Sequence, residues 1–243
     1  LQARPLAYGG RVVHARTGRP LAGAFVLLTD NRGESHLSDL THEQWDRIEQ
    51  LDEGTPAEHK AFAPVQRVHR FRRFVRTDID GGYTIECSAK TGNADIVCFA
   101  RDFVPVRHRV NRLASDLAGD ARVPPIALYP AAKVGFRVQV DGLSFPIQAE
   151  WLFDPKRLPD WALPLAEQTA ASPLAAEYAF GYRPNVDQTV YVPADVPLRL
   201  TVRMPRENRL CPWTCPQTLC LSQGVVLDLG PCSCRMPCPL CCK

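Results

Sequence analysis

The chain lacks the sequence signatures of the best-marked enzyme classes. It contains no Gly-x-Ser-x-Gly nucleophile elbow, no His-Glu-x-x-His zinc helix and no phosphate-binding loop. Each motif holds a nucleophile, a metal or a phosphate in a fixed local geometry, so these absences exclude the enzymes that depend on them. We therefore expect a protein that is not an enzyme and that has no cofactor.

Strong charge and long apolar runs are lacking as well. The 29 Lys and Arg residues against 26 Asp and Glu give a net charge of only +3, so nucleic acid is not an expected partner. No run approaches the roughly 18 apolar residues of a membrane helix, and no membrane span is expected. Because the chain begins with Leu1 rather than Met, its lack of a visible export signal does not argue against export.

Methionine is scarce and proline is abundant, a composition typical of strand-rich chains. The 243 residues include 2 Met and 22 Pro, and 45% are hydrophobic, which allows two domains of roughly 100 residues each. Short alternating runs between turn residues predict an all-β fold of two tandem β-sandwich domains. These domains are expected at residues 1–128 and 131–230, followed by a Cys-rich tail at 231–243.

The strands are predicted from alternating or β-branched segments that end at Gly, Pro or Asn. In the first domain they cover residues 10–15, 24–28, 71–76, 83–87, 95–100, 104–110 and 126–128. In the second they cover residues 133–140, 147–153, 189–192, 198–203 and 225–229. The stretch 154–185 is expected to be a surface loop, and the joint between the domains is expected within 111–132.

One helix is predicted inside an insertion at residues 31–64. Thr41 can cap its start, and Gln44 completes a capping box three residues later. The helix is expected from about residue 41 to 51, with Trp45, Ile48 and Leu51 as its packing face. An insertion of this length between two strands is often functional or mobile.

Three segments of the first domain resemble the carboxypeptidase-regulatory-like domain. They are the Gly-Arg-Val-Val strand at Gly10 with its Gly-Arg-Pro hairpin, the Thr-Asp-Ile-Asp-Gly-Gly-Tyr turn ending at Tyr83, and Ala-Arg-Asp-Phe-Val-Pro ending at Pro105. The resemblance covers about residues 9–128, and a looser second copy falls at about 131–230. It implies a transthyretin-like Greek-key sandwich, common as an accessory module of exported and cell-surface proteins.

Basic side chains concentrate within and just before the third predicted strand. Arg67, Arg70, Arg72 and Arg73 alternate with apolar residues and can attract phosphates, sulfated sugars or an acidic partner. The alternative is a solvated edge strand whose charges discourage pairing with other sheets. We take these arginines as the candidate binding patch of the first domain.

Aromatic residues cluster between residues 151 and 182. Their period-two spacing favours Trp151 and Phe153 as core residues on one strand face. Trp161 and Tyr182 are the candidates for stacking against a glycan.

Asp78 and Asp80 occupy the turn before Tyr83. Paired carboxylates can bind Ca²⁺, but the same spacing is typical of an Asx turn. We predict the structural role and no metal site.

Cys87 and Cys98 lie on two strands that a short turn connects. If the turn is a hairpin centred between residues 92 and 93, these cysteines face each other on the buried side of the sheet. Either a disulfide or two reduced buried thiols fits that geometry.

The remaining cysteines run from Cys211 to Cys242, with spacings that include one Cys-x-x-Cys and one Cys-x-Cys. A zinc site usually needs two Cys-x-x-Cys pairs about 15–20 residues apart, so zinc is less favoured than a disulfide knot or a disordered end.

The sequence therefore predicts a non-catalytic binding or structural accessory module of an extracellular, cell-surface or periplasmic protein. Its partner is unknown, with a glycan or another protein favoured. The alternative is an enzyme on a transthyretin-like fold. Residues 74–83 and 106–110 resemble the intradiol dioxygenases, whose iron ligands are two Tyr and two His, but the His-x-His pair is missing because Arg109 and Val110 follow His108. The other enzyme of this kind would resemble the ureide hydrolases, whose Tyr-Arg-Gly-Ser signature is missing here.

Overall fold

The computed structural model describes residues 6–30, 42–52, 60, 71–87, 94–110, 121–139, 147–164, 180–182, 187–206, 209–214 and 218–233. Across these ranges the chain is mostly strand with one short α-helix, which confirms the predicted all-β fold class of tandem Greek-key sandwiches. The chain divides into two compact units, unit 1 at residues 1–130 and unit 2 at residues 131–243. Among the described helices, none combines the length and the apolar character needed to cross a membrane.

Unit 1 is built from two sheets. Its strands are β1 (Leu6–His14), β2 (Phe25–Asp30), β3 (Phe71–Arg76), β4 (Gly82–Cys87), β5 (Ala94–Phe99), β6 (Val106–Val110), β7 (Ala121–Arg122) and β8 (Ile126–Leu128). One sheet has the order β4-β1-β7, with β8 also paired to β1, and the other has the order β3-β2-β5-β6. Every strand predicted for the first domain is present, and β7 is an additional short one.

The two sheets of unit 1 differ in how many of their faces are buried. On β4 the exposure alternates, since Tyr83 and Ile85 are buried whereas Thr84 and Glu86 are exposed. On β5 every residue from 95 to 99 is buried. Because successive side chains on a strand point to opposite faces, the second sheet must be covered on both sides.

The outer cover of this sheet is the helix α1 (His42–Glu49). Trp45 and Ile48 are 1% and 0% exposed, which confirms the predicted packing face. They form an apolar cluster with side chains from three strands, namely Phe25, Leu27, Phe74, Val97 and Phe99. The helix ends at Glu49 and not near residue 51 as expected, and Leu51 packs against the same cluster from beyond its end. The helix therefore belongs to the core of unit 1. Thr41, its predicted cap, lies outside the described residues.

Unit 2 also contains two sheets. Its strands are β9 (Ala131–Gln139), β10 (Ile147–Phe153), β11 (Phe180–Tyr182), β12 (Asp187–Pro193), β13 (Leu198–Arg206), β14 (Arg209–Thr214) and β15 (Val226–Ser233). The sheet orders are β11-β10-β13-β14 and β12-β9-β15. The sequence patterns did not predict β11, within the expected surface loop, or β14, within the Cys-rich segment.

The last strand also corrects the predicted start of the tail. β15 continues through Cys232 to Ser233, although we expected the tail to begin at residue 231. Parallel pairing supplies the reason, because Cys232 lies opposite Val138 and Ser233 opposite Gln139 on β9. Backbone hydrogen bonds to a neighbouring strand extend β15 where the side chains show no apolar alternation.

Candidate functional site

The Asp78 side chain stabilises its turn by accepting hydrogen bonds from the backbone. The Asp78 Oδ1 atom accepts the Asp80 N–H at 2.9 Å and the Gly82 N–H at 2.7 Å, as in an Asx turn. Gly81 has a φ of +69°, and a Cβ there would lie 2.4 Å from the Val12 carbonyl oxygen. The structural role predicted for Asp78 is confirmed. Across the described part of the chain, no group of three His, Cys, Asp or Glu side chains is placed to hold a metal ion.

Only part of the predicted basic patch falls within the described residues. Arg67 and Arg70 lie outside them. Arg72 and Arg73 are on β3, which forms an edge of its sheet as described, but the structure describes only their backbone. The binding patch thus stays a prediction.

Arg76, at the end of the same strand, has a structural function that the sequence did not reveal. Its Nη2 atom donates to the carbonyl oxygens of Ile48 at 3.3 Å and Leu51 at 2.8 Å, and also to that of Glu49. Its guanidinium lies 4.6 Å from the centroid of the Phe25 ring. The last carbonyls of a helix have no partner within the helix. Arg76 therefore caps the C-terminus of α1, and its positive charge stabilises the partial negative charge there.

Two further arginines hold carboxylates on unit 1. Arg101 pairs with Asp46 and Glu49 on the exposed side of α1. Arg107 donates to Asp95, whose side chain is fully buried. These pairs depend on which strands and helices meet, so no local sequence pattern indicated them.

The predicted partnership of Cys87 and Cys98 is wrong. β4 pairs with β1, where Cys87 lies opposite Leu6, whereas β5 pairs with β2, where Cys98 lies opposite Val26. β4 and β5 therefore lie in different sheets and do not pair as a hairpin. Cys98 is a free, fully buried cysteine, and burial raises the pKa of its thiol.

Tyr83 is packed over a glycine of the neighbouring strand. Gly10 lies opposite it, and a Cβ at Gly10 would be 2.6 Å from the Tyr83 hydroxyl oxygen. The Tyr83 side chain is 6% exposed, and its hydroxyl has no hydrogen-bond partner among the described residues. Burial raises the pKa of this hydroxyl, and the Cys98 thiol adds to the effect.

The two candidate glycan-binding aromatics lie on different elements of unit 2. Trp161 is half-buried in the short 3₁₀ helix Asp160–Ala162. Tyr182 ends β11 with its backbone opposite Ile147, and its side chain is not among those described. A shared glycan site stays a prediction.

The cysteines of the C-terminal segment do not share one element. Cys211 lies on β14 and Cys232 on β15, in different sheets of unit 2. Cys220 is a free, exposed cysteine. Cys215, Cys234, Cys238, Cys241 and Cys242 lie outside the described residues, so the choice between zinc, disulfides and disorder for the tail stays open.

Among the described residues of unit 2, the most exposed large apolar side chains lie at the first residue of β15 and at the residue just before it. Val225 is 41% exposed and Val226 is 68% exposed. β15 forms the edge of its sheet in the described part of the chain, paired on one side with β9. We call residues 225–229 the β15 edge. Two adjacent valines were visible in the sequence, but their exposure follows from the strand order.

Comparisons with known proteins give only distant similarity. No protein-family model matches the chain, and no curated protein sequence matches it. It is similar to the minor pilin GBS52 of Streptococcus agalactiae, with 9% identity over 93% of this chain and 94% of that chain and a TM-score of 0.30. The shaft pilin SpaA of Lactobacillus rhamnosus GG gives 9% identity over 96% and 99% and a TM-score of 0.25. At these scores the similarity carries no information about ligands or partners.

Proposed function

We propose that the chain is a non-catalytic accessory module of an exported or cell-surface protein and that it binds another protein. The observation that carries this proposal is the β15 edge, where Val226 is 68% exposed on an edge strand. An edge strand presents N–H and C=O groups that another chain can pair with, and an exposed apolar side chain beside them favours that pairing. The resemblance to carboxypeptidase-regulatory-like domains supports the accessory role and the location.

The enzyme alternative has less support from the packing of unit 1. Tyr83, in the segment that resembles the intradiol dioxygenases, is buried against Gly10. His108 is on β6, in the sheet that does not contain Tyr83, and burial lowers its pKa, while Asp95 opposes that shift. A catalytic iron needs ligands that converge on a site open to substrate.

Site-specific photo-crosslinking tests the proposal. Val226 is replaced by a photoreactive phenylalanine analogue, and the control carries the same group at Thr84, an exposed residue of β4. We expect cells of the source organism to yield a defined protein adduct from position 226 and none from position 84. Binding on a glycan array that Trp161→Ala abolishes, without any protein adduct, would overturn the proposal in favour of glycan binding. Stoichiometric iron in the purified chain would overturn its non-catalytic part.

A further inference from the structure

The backbone of the β15 edge has one side that does not bond to β9. The Val225 carbonyl accepts the Lys133 N–H at 2.8 Å, and Val226 lies opposite Lys133 in the parallel register. In a parallel ladder alternate residues of a strand bond to a given neighbour, so residues 225 and 227 bond to β9. The N–H and C=O of Val226 consequently point away from β9, toward the position that a further strand would occupy.

The protection of this strand covers only its second half. The pairing of β15 with β9 is irregular between Asp228 and Pro231, and Pro231 has no N–H to donate. Bulges and prolines are devices that prevent an edge from pairing with other chains. They lie beyond residue 228, and the exposed Val225 and Val226 precede them. By contrast, the edge strand β3 of unit 1 carries Arg72 and Arg73.

The side chains next to this backbone indicate what would pair with it. Tyr191, Lys133 and Val226 form one row across β12, β9 and β15, and the Lys133 Nζ atom lies 5.2 Å from the Tyr191 ring centroid. Tyr191 is 1% exposed and Val226 is 68% exposed, so the row is buried at the β12 end and exposed to solvent at the β15 end. An apolar residue beside Val226 would complete it.

The next row on the same face ends in a charge. Asp228 is exposed and lies opposite Gly135. Residues two apart on a strand share a face, so a strand beside β15 would place one residue next to Val226 and another next to Asp228. A basic side chain is the favourable cross-strand neighbour for Asp228.

From these observations we infer that the β15 edge binds one extended strand of a partner protein. The strand runs antiparallel to β15, the more stable pairing, and carries a basic residue two positions before an apolar residue. The inference rests on the proposed function and specifies its partner. The edge comprises residues 225–229, which span roughly 17 Å at about 3.3 Å per residue. A stable dimer interface needs roughly 20–30 residues on each side, many more than this edge provides. A single added strand fits this length better than a second copy of the chain.

The test measures fluorescence anisotropy of labelled nine-residue peptides with the full chain. The probe contains Thr and Val, with Lys two positions before a central Val, and the matched control has Glu in place of Lys. We expect the Lys peptide to bind about two- to fivefold more tightly, because opposite charges on neighbouring strands attract whereas Glu beside Asp228 is repelled. Val226→Pro removes the outward N–H without removing a bond to β9 and should weaken binding about tenfold, whereas Val226→Thr should not.

A charge exchange keeps the test decisive if Val226→Pro perturbs the fold. Asp228→Lys should reverse the preference between the Lys and Glu peptides. Equal binding of both peptides by Asp228→Lys and by the unmodified chain would overturn the inference, as would a dimer in sedimentation that Val226→Pro dissociates. If photo-crosslinking at Val226 still captures a protein while neither peptide binds, the proposed function stands and strand addition is wrong.

Discussion

The contact between Gly10 and Tyr83 gives a prediction that a single added methyl group can test. In Gly10→Ala the new Cβ would lie 2.6 Å from the Tyr83 hydroxyl oxygen, 2.8 Å from Cζ and 3.0 Å from Cε1. Carbon and oxygen atoms that are not bonded do not approach this closely, so the ring or the strand must move. Overpacking of this kind costs about 1–3 kcal/mol.

The adjacent glycine provides a matched control on the same strand. A Cβ at Gly9 would lie 3.8 Å from the Tyr83 carbonyl oxygen and 4.0 Å from the Thr84 hydroxyl, both ordinary contacts. Gly9→Ala should therefore stabilise unit 1 by about 0.4–1 kcal/mol through the lower entropy of the unfolded chain. The two variants are expected to differ by about 1.5–4 kcal/mol in the free energy of unfolding.

Removing the hydroxyl should relieve part of the strain. Tyr83→Phe alone should leave stability unchanged or slightly higher, because it removes a buried hydroxyl that has no partner among the described residues. In combination with Gly10→Ala it should recover about 1 kcal/mol of the loss.

Urea unfolding followed by amide hydrogen exchange of β1 and β4 measures unit 1 separately from unit 2. Equal stability of Gly9→Ala and Gly10→Ala would refute the packing argument. A loss above about 1 kcal/mol in Tyr83→Phe would show that the hydroxyl is hydrogen-bonded.

Three further predictions follow from burial in unit 1. Trp45→Ala should destabilise the unit by about 3–5 kcal/mol in urea unfolding, and a loss below about 1 kcal/mol would show that α1 is not part of the core. Burial is the main cause that lowers the pKa of His14 and of His108 below 6.5, so the unfolded chain binds more protons than the folded chain in acid. The free energy of unfolding should therefore be highest above about pH 6.5 and fall as the pH drops through the lowered pKa values. A free energy of unfolding that does not change between about pH 7 and 5 would contradict this. Cys98 should react with a thiol reagent only at the rate of unfolding while Cys220 reacts at once, and rapid labelling of both would disprove the burial of Cys98.

Local features of unit 1 could be predicted because their causes are local. Turn residues and alternation located seven of the eight described strands of unit 1, all except β7. The helical spacing of Trp45 and Ile48 identified the buried side of α1. The same turn chemistry does not determine whether a connection stays in one sheet. For that reason the hairpin between Cys87 and Cys98 was wrong, although the burial of Cys98 was expected correctly.

The candidate site of unit 2 depends on long-range order that no local pattern contains. Val225 and Val226 are typical strand residues, and only the sheet order β12-β9-β15 makes them an edge. The cap that Arg76 forms on α1 likewise requires β3 to lie beside the end of the helix. Which strands pair across long sequence separations depends on the whole fold, so the local sequence patterns did not predict it.

The position of α1 determines how unit 1 can be engineered. A segment between two strands is usually the first choice when a domain is shortened or a foreign sequence is inserted, since loops tolerate both changes. Here a deletion of residues 31–64 would remove Trp45 and Ile48 and uncover Phe25, Leu27 and Phe99 together. The shortened protein would then present an adhesive apolar sheet to its neighbours and aggregate, so any minimal version of unit 1 must retain the helix.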